Sequence, residues 1–418
     1  MPDTLHPALP DWPNMRHLRL LDIAESEGSL TQAAQAMNIS QPAASQAMAK
    51  LARIFGAPLL ERVGNSAVAT EEGKLVTRRA RRALLHLQAP SLVPRARARQ
   101  VSPNLLERYA SITQLRVISI YALTGSFATT AQELGQTEAS VRRACKEIER
   151  IIGQPVLEGT NRDRGLSAAG TLVATCASLA LREIALAHAE LRERQGVFES
   201  RLVIGALPLV RTQIVPQAVV RLLAKYPSAA VEVLDGSYEF LLQRLRLGAC
   251  DVIIGALRND ATEQDIVEKR LFTDRLSVVA RAGHPLAGHR LEGPELGAYP
   301  WILPRRDAPS RRVFDLLAQR HNLKTEQAGH VETGSLVILR GVLLASDTLA
   351  LISPNQISYE IEQGLLVALE VELEGAEREI GVAELKTSLP SRLHMDFLEI
   401  LEQEAMNATG RDNEIHQR

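Results

Sequence analysis

The stretch SLTQAAQAMNISQPAASQAMAKLARIFG, residues 29–56, returns in altered form as SFATTAQELGQTEASVRRACKEIERIIG, residues 126–153. The two align without a gap at an offset of 97 residues, and the register holds on both sides. It pairs Leu18 with Leu115, Gly28 with Gly125, Ala34 with Ala131, Gly56 with Gly153, Pro58 with Pro155, Leu60 with Leu157 and Gly73 with Gly170. A tandem duplication accounts for a single register kept over so long a stretch. The first half of the chain must therefore fold as two copies of one small unit.

Each copy reads as three helices. An amphipathic helix carries Leu18, Leu21 and Ala24 in the first copy, or Leu115, Ile118 and Tyr121 in the second, and ends at Gly28 or Gly125. A short alanine-rich helix follows, with the small residue Ala34 or Ala131 on its packing side. After the turn, Ser40 or Thr137 is placed to cap a third helix, and Pro42 falls in the first turn, where its missing N–H costs nothing. This spacing predicts a helix-turn-helix, with the third helix free to enter a DNA major groove. Burial of Ala44, Met48, Leu51 and Phe55 leaves Gln41, Ala43, Ser45, Gln46, Ala49 and Lys50 on the open side. Glutamine suits adenine and small side chains suit thymine methyls, while Lys50, Arg53 and Arg62 suit phosphates; Thr31, Ser40 and Pro42 complete the expected DNA-binding set.

The segment LRLLDIAESEGSLTQAAQAMNISQPAASQAMAKLARIFGAPLLERVGNSAVATEEG resembles the winged helix-turn-helix of LysR-type transcriptional regulators. It departs from that pattern at Leu60, where phenylalanine is usual, and across residues 65–68, which lack the usual wing arginine. The second copy departs further. Glu138, Ala139 and Ser140 replace Gln41, Pro42 and Ala43, and Gly159 replaces Arg62, while Arg142, Arg143 and Lys146 join the third helix and Arg162 and Arg164 the wing. Two readings stand for it: DNA contact through Ser140, Arg142, Arg143 and Lys146, or a bundle kept for packing or dimerisation.

Charge favours the first copy as the polyanion binder. Residues 1–195 hold 24 basic and 18 acidic residues, the remainder 24 and 31, so the net charge of -1 conceals a basic front and an acidic back. Between the copies, QAPSLVPRARARQVSPN reads as a solvated linker or a basic arm tracking phosphates through Arg95, Arg97 and Arg99. A helix after the second wing, from about Ala168 to Arg194, runs without proline. The resemblance implies that it dimerises the protein; burial against the chain's own domains is the competing reading.

From Arg201 the pattern changes to short apolar runs alternating with helices: RLVIGA, IVPQAVVRLLAKYP, AAVEVLD, YEFLLQRLRLG, DVIIGA, then a second such set. Strand–helix alternation of this kind predicts parallel sheets in two lobes, with ligands bound where loops leave the strand ends. The candidate contacts are Leu209, Val210, Arg211, Thr212, Gly255, Thr333, Gly334 and Ser335. The same half is similar to the LysR-type effector domain, a two-lobed fold like periplasmic binding proteins, and GALPLVRTQIVP looks most like regulators of the galactose-binding-protein type. The resemblance implies a sugar or small organic acid as effector.

The expected architecture is multidomain: two tandem α-rich winged helix-turn-helix units followed by an α/β two-lobed periplasmic-binding-protein-like domain. Its expected boundaries are a first unit at 13–88, a Pro/Arg linker at 89–109, a second unit with its long helix at 110–196, the effector domain at 200–406 and a flexible tail at 407–418. Cys145, Cys176 and Cys250 stand too far apart for a local metal or disulfide motif, and no cofactor or metal is expected. No phosphate-loop, HExxH or GxSxG pattern is present, and His284 in GHPL reads as a surface or capping residue, so the chain is not expected to be an enzyme. Without a leader or an obvious membrane span, it reads as cytoplasmic. Expected partners are double-stranded promoter DNA, the effector, RNA polymerase if it activates, and further copies as a homodimer or homotetramer. The alternative is a ligand sensor acting through protein partners.

Overall fold

The computed structural model describes residues 11–64, 66–88, 105–160, 165–198, 200–258, 263–306, 308–323 and 330–415. Arg95, Arg97, Arg99, Arg162 and Arg164 lie outside them. The chain divides into two compact units, 1–200 with 246–249, and 201–245 with 250–418.

The first unit opens with α1 (Met15–Glu27), α2 (Leu30–Ala36), α3 (Gln41–Phe55), a hairpin of β1 (Leu60–Val63) and β2 (Ser66–Ala69), and α4 (Glu71–Leu87). After a short α5 (Leu105–Tyr109) come α6 (Ile112–Thr124), α7 (Phe127–Leu134), α8 (Glu138–Ile152), a hairpin of β3 (Leu157–Glu158) and β4 (Gly165–Leu166), and α9 (Ala168–Arg194). Helices α6, α7, α8 and α9 each start 97 residues after α1, α2, α3 and α4. The local devices recur as well. Gly28 and Gly125 close the first helices at φ 61°, and Gly56 and Gly153 close the third at 69° and 70°, left-handed conformations that glycine adopts without strain. Thr70 caps α4 and donates to Pro58 O at 2.6 Å; Ser167 caps α9 and donates to Pro155 O at 2.7 Å. A Cβ on Gly73 would stand 1.9 Å from Leu59 O, and one on Gly170 2.0 Å from Val156 O. Both copies thus need a glycine where the fourth helix passes the backbone before the hairpin.

One hydrophobic core runs through both copies, from Leu18, Leu51 and Phe55 to Leu115, Ile148 and Leu181. Its central seam is α4 against α9. Arg79, fully buried on α4, donates to Glu183 at 2.8 Å and to Glu190; Arg78 reaches Glu190 at 3.2 Å and Arg82 reaches Glu183 at 2.7 Å. Numbers rise along α4 as they fall along α9, so the two helices run antiparallel. Ala83 and Leu84 are buried on α4, and Ala180 and Leu181, 97 residues on, are buried on α9. Burial raises the Glu183 carboxyl, but the hydrogen bond to His86 and the charges of Arg79 and Arg82 bring it down to about 2.

That seam corrects the expectation of dimerisation through the second linker helix. The apolar stripe of α9 is covered by α4 and α6 of its own chain, with Val173, Ala177, Ala180, Leu181, Ile184 and Leu191 all buried. A helix apolar on nearly all sides needs partners on nearly all sides; the first copy supplies α4 and the second copy its own α6. Helix α9 is also, among the described residues, the one helix long and apolar enough to cross a membrane, but most of its apolar length is buried within the unit. The three cysteines are buried and unbridged; burial pushes the Cys145 and Cys176 thiols up to about 12 and 11.

The second unit holds two five-stranded sheets. One is built from β5 (Arg201–Ala206), β6 (Ala230–Leu234), β7 (Val252–Ala256), β8 (Ile266–Arg275) and a late β16 (Glu377–Leu385), with α10 (Ile214–Lys225), α11 (Tyr238–Arg246) and a C-terminal helix. The other uses β9 (Ser277–Arg281), β11 (Trp301–Leu303), β12 (His330–Glu332), β13 (Leu349–Ile352) and β14 (Leu366–Ala368); β10 (Arg290–Leu291) and β15 (Glu370–Val371) pair separately. Helices α12 (Pro309–Arg320), α13 (Leu336–Ala345) and α14 (Ser358–Glu362) complete this lobe. The expected parallel pairing is present for β5–β6, β5–β7, β11–β12 and β11–β13, but β16 and β9 each run antiparallel to both of their neighbours. The chain crosses between sheets twice, so strands returning from the other lobe arrive in the opposite sense. The C-terminal α15 spans Arg392–Ile415, so the segment expected as a flexible tail is helical to Ile415. His284 is buried rather than on the surface, accepting from Leu286 N at 3.1 Å and packing on Tyr299.

Candidate nucleic-acid interface and ligand cleft

On α3 every polar candidate is open to solvent. Ser40 caps the helix by accepting from Ala43 N at 3.4 Å, and Gln41, Pro42, Ala43, Ser45, Gln46, Lys50 and Arg53 are exposed while Ala44, Ala47, Met48, Leu51 and Phe55 are buried. Thr31 at the start of α2 and Arg62 on β1 are exposed too. The unit thus offers a helix face of short polar and amide side chains, edged by cations, with its opposite side fixed in the core. Such a face fits a major groove.

The corresponding face of α8 has different chemistry. Ser140, Arg142, Arg143 and Lys146 are exposed, in register with Ala43, Ser45, Gln46 and Ala49. Arg142 lies over the Phe127 ring at 3.9 Å and 3.4 Å from Glu138, which draws its charge back toward the protein. Ser140 Oγ is 3.0 Å from Thr137 Oγ1.

In the second unit a cleft of about 830 Å³ lies at the strand ends and brings together Leu209, Arg211, Thr212, Thr333, Gly334 and Ser335. Thr212 donates to Leu209 O at 3.0 Å, Thr333 accepts from Ser335 N at 3.0 Å, and Ser335 caps α13 by accepting from Ile338 N. Val210 and Gly255 do not line it. Val210 is buried, and Gly255 has φ 157° with Leu207 packed where its Cβ would stand. Ala256, one residue on, takes the lining position.

Sequence reasoning missed most of the cleft's charge, which comes from Arg258, Arg305, Arg340 and Arg378 together with Arg211. Arg258 lies over the Tyr238 ring at 4.5 Å. Arg340 stands 3.1 Å from Glu360 and donates to Gln356 O at 3.0 Å. Arg378 donates to the buried Asp274 at 2.9 Å, and Asp274 also accepts from Ser353 at 2.6 Å and Asn355 at 3.2 Å. Asp274 and Arg378 sit where the chain passes between the sheets, so this network ties the crossing strands to the end of β13. A run of isolated arginines 35 to 47 residues apart carries no local pattern; only the fold collects them.

Residues 15–74 match the family described as bacterial regulatory helix-turn-helix protein, lysR family, and residues 195–406 match the LysR substrate binding domain. The chain is 32% identical over 380 residues to the HTH-type transcriptional regulator GalR of Pseudomonas putida KT2440, a match covering 91% of this chain and 94% of that one. It is 26% identical to the HTH-type transcriptional regulator PcaQ of Agrobacterium fabrum C58 over 64% of this chain and 87% of that protein. Among solved structures it is similar in fold to full-length LysG of Corynebacterium glutamicum with bound effector Arg. The TM-score there is 0.52 at 16% identity, covering 71% of this chain and 98% of that one.

Proposed function

This chain belongs to the LysR family of transcriptional regulators, with a DNA-binding helix-turn-helix and an effector-binding domain, and we propose how its duplicated front half serves that function. The first copy reads bases through Gln41, Ala43, Ser45 and Gln46 and holds phosphates through Thr31, Ser40, Lys50, Arg53 and Arg62. The second copy is a second winged helix-turn-helix that joins the same DNA by charge, through Ser140, Arg143, Lys146 and the partly neutralised Arg142. The carrying observation is the antiparallel α4–α9 seam, locked by buried Arg79. It gives one chain the paired linker helices that the resemblance assigns to two subunits, so the second copy stands in for a partner's reading unit. Homodimers or tetramers then form through surfaces other than the stripe of α9. Effector bound against Leu209, Arg211, Thr212, Thr333, Gly334 and Ser335 changes how the two lobes stand and thereby promoter binding.

DNase footprinting on the intergenic region beside the protein's own gene tests this. Gln41→Ala is expected to abolish protection and cost about 1–3 kcal/mol at one base pair. Arg143→Ala shortens protection at one end and lowers the salt slope by about 1. An unchanged footprint in Arg143→Ala makes the second copy a packing scaffold alone.

A further inference from the structure

We propose that the two copies read unlike base pairs, so that the operator is asymmetric: A·T pairs lie under α3, and a guanine bound by Arg143 lies under α8. This rests on the reading that both copies touch the same DNA. Val141, Ala144, Cys145, Ile148 and Ile152 form the buried side of α8. At about 100° per residue, Ala139, Arg143 and Lys146 stand most directly opposite that side, as Pro42, Gln46 and Ala49 do on α3. The register of the duplication thus sets Arg143 where the first copy has Gln46, and Lys146 where it has Ala49. Arg142 lies to one flank, over Phe127 and 3.4 Å from Glu138. Arg143 is not held in this way. Glu147, four residues on and within reach of a pair along the helix, instead accepts from Gln114 Nε2 at 2.6 Å. Arg143 is exposed and has no ion pair or side-chain hydrogen bond among the described residues.

A glutamine amide presents a donor and an acceptor side by side, which matches adenine N7 and N6, and an alanine methyl matches the thymine methyl. A guanidinium only donates. Its fork matches guanine O6 and N7 and finds no acceptor at adenine N6. The exchange of Gln46 for Arg143 therefore changes which base is accepted, beyond how strongly the DNA is held. Lys146 in place of Ala49 removes the thymine contact and adds a further donor one turn along the same face. A cation lodged in the groove also displaces counterions, so the lower salt slope expected for Arg143→Ala holds for a base contact as well as for a phosphate contact. Base preference is what separates the two.

Selection of bound duplexes from a random-sequence library by the full-length protein, followed by sequencing, tests this. Wild type is expected to return sites with two unlike segments: one rich in A·T and relaxed by Gln46→Ala, the other holding a fixed guanine that Arg143→Ala leaves undetermined. Arg143→Gln is expected to exchange that guanine for adenine, and Gln46→Arg to do the reverse in the other segment. Each shifts the preference at one base pair roughly 10- to 100-fold. A thermal melt unchanged in these variants, all at exposed positions, separates altered reading from lost fold. Two segments of like sequence overturn the proposal. So does a second segment whose bases stay the same in wild type, Arg143→Gln and Arg143→Ala while the Arg143→Ala footprint shortens; the second copy then holds phosphates alone. A footprint equal in wild type and Arg143→Ala takes the second copy off the DNA, and the reading beneath the proposal fails with it.

Discussion

His188 is the side chain through which acid reaches the core of the first unit. Its ring stacks on Phe55 at 4.4 Å, and burial, with the nearby charge of Arg192, pushes its pKa down to about 4 from an ordinary 6.5. The unfolded chain therefore takes up this proton first as pH falls through 6.5, while the folded chain stays neutral until about 4. Stability is intact above 6.5 and declines between the two values, by about 3 kcal/mol at most. Glu183 continues the loss lower down: held at about 2, it stabilises the fold above its ordinary 4.5 and ceases to as pH falls toward 2. Urea melts at pH 7, 5.5 and 4.5 are expected to show falling midpoints in wild type and a flatter trend in His188→Leu. Equal slopes in both proteins would place the acid sensitivity elsewhere. None of this was legible in the sequence, because the burial that keeps His188 neutral comes from tertiary packing, against Phe55 133 positions away among others.

Helices α4 and α9 are individually ordinary amphipathic or apolar helices, and only their pairing makes them a joint. The sequence carried the register of the duplication, the caps at Ser40 and Thr137 and the buried faces of α1 and α3, since all of these are local patterns of period and capping chemistry. It did not reveal which surface α9 covers, because an apolar stripe is equally suited to another subunit or to its own chain. Arg79 decides the matter structurally. It reads as one more cation in a basic run, yet it is fully buried between Glu183 and Glu190. Arg79→Met leaves two carboxylates facing each other in the seam and is expected to cost about 3–5 kcal/mol, read by urea unfolding of the full chain. Adding Glu183→Leu and Glu190→Leu restores most of that, since an apolar joint of similar volume replaces the buried charges. A loss below about 1 kcal/mol in Arg79→Met would mean that the seam is open to water and weakly held.

For the whole molecule, the proposal concerns how many chains a promoter needs. If the seam supplies an internal pair of readers, light scattering of the full-length protein on a duplex, combined with footprinting, finds two protected groove segments for each bound chain. One segment per chain would return the second copy to a packing role. The effector cleft was half legible in the same way. Leu209, Arg211, Thr212, Thr333, Gly334 and Ser335 follow from the rule that ligands sit where loops leave strand ends, whereas Arg340 and Arg378 reach the cleft by long-range topology that no motif records. The seam has a further consequence in descent. In a symmetric dimer each substitution in the reading helix is written twice, so both halves of the operator must change together. If both copies read DNA, the amide face of α3 and the cationic face of α8 are encoded separately, and each is free to drift with its own stretch of promoter while the other stays fixed.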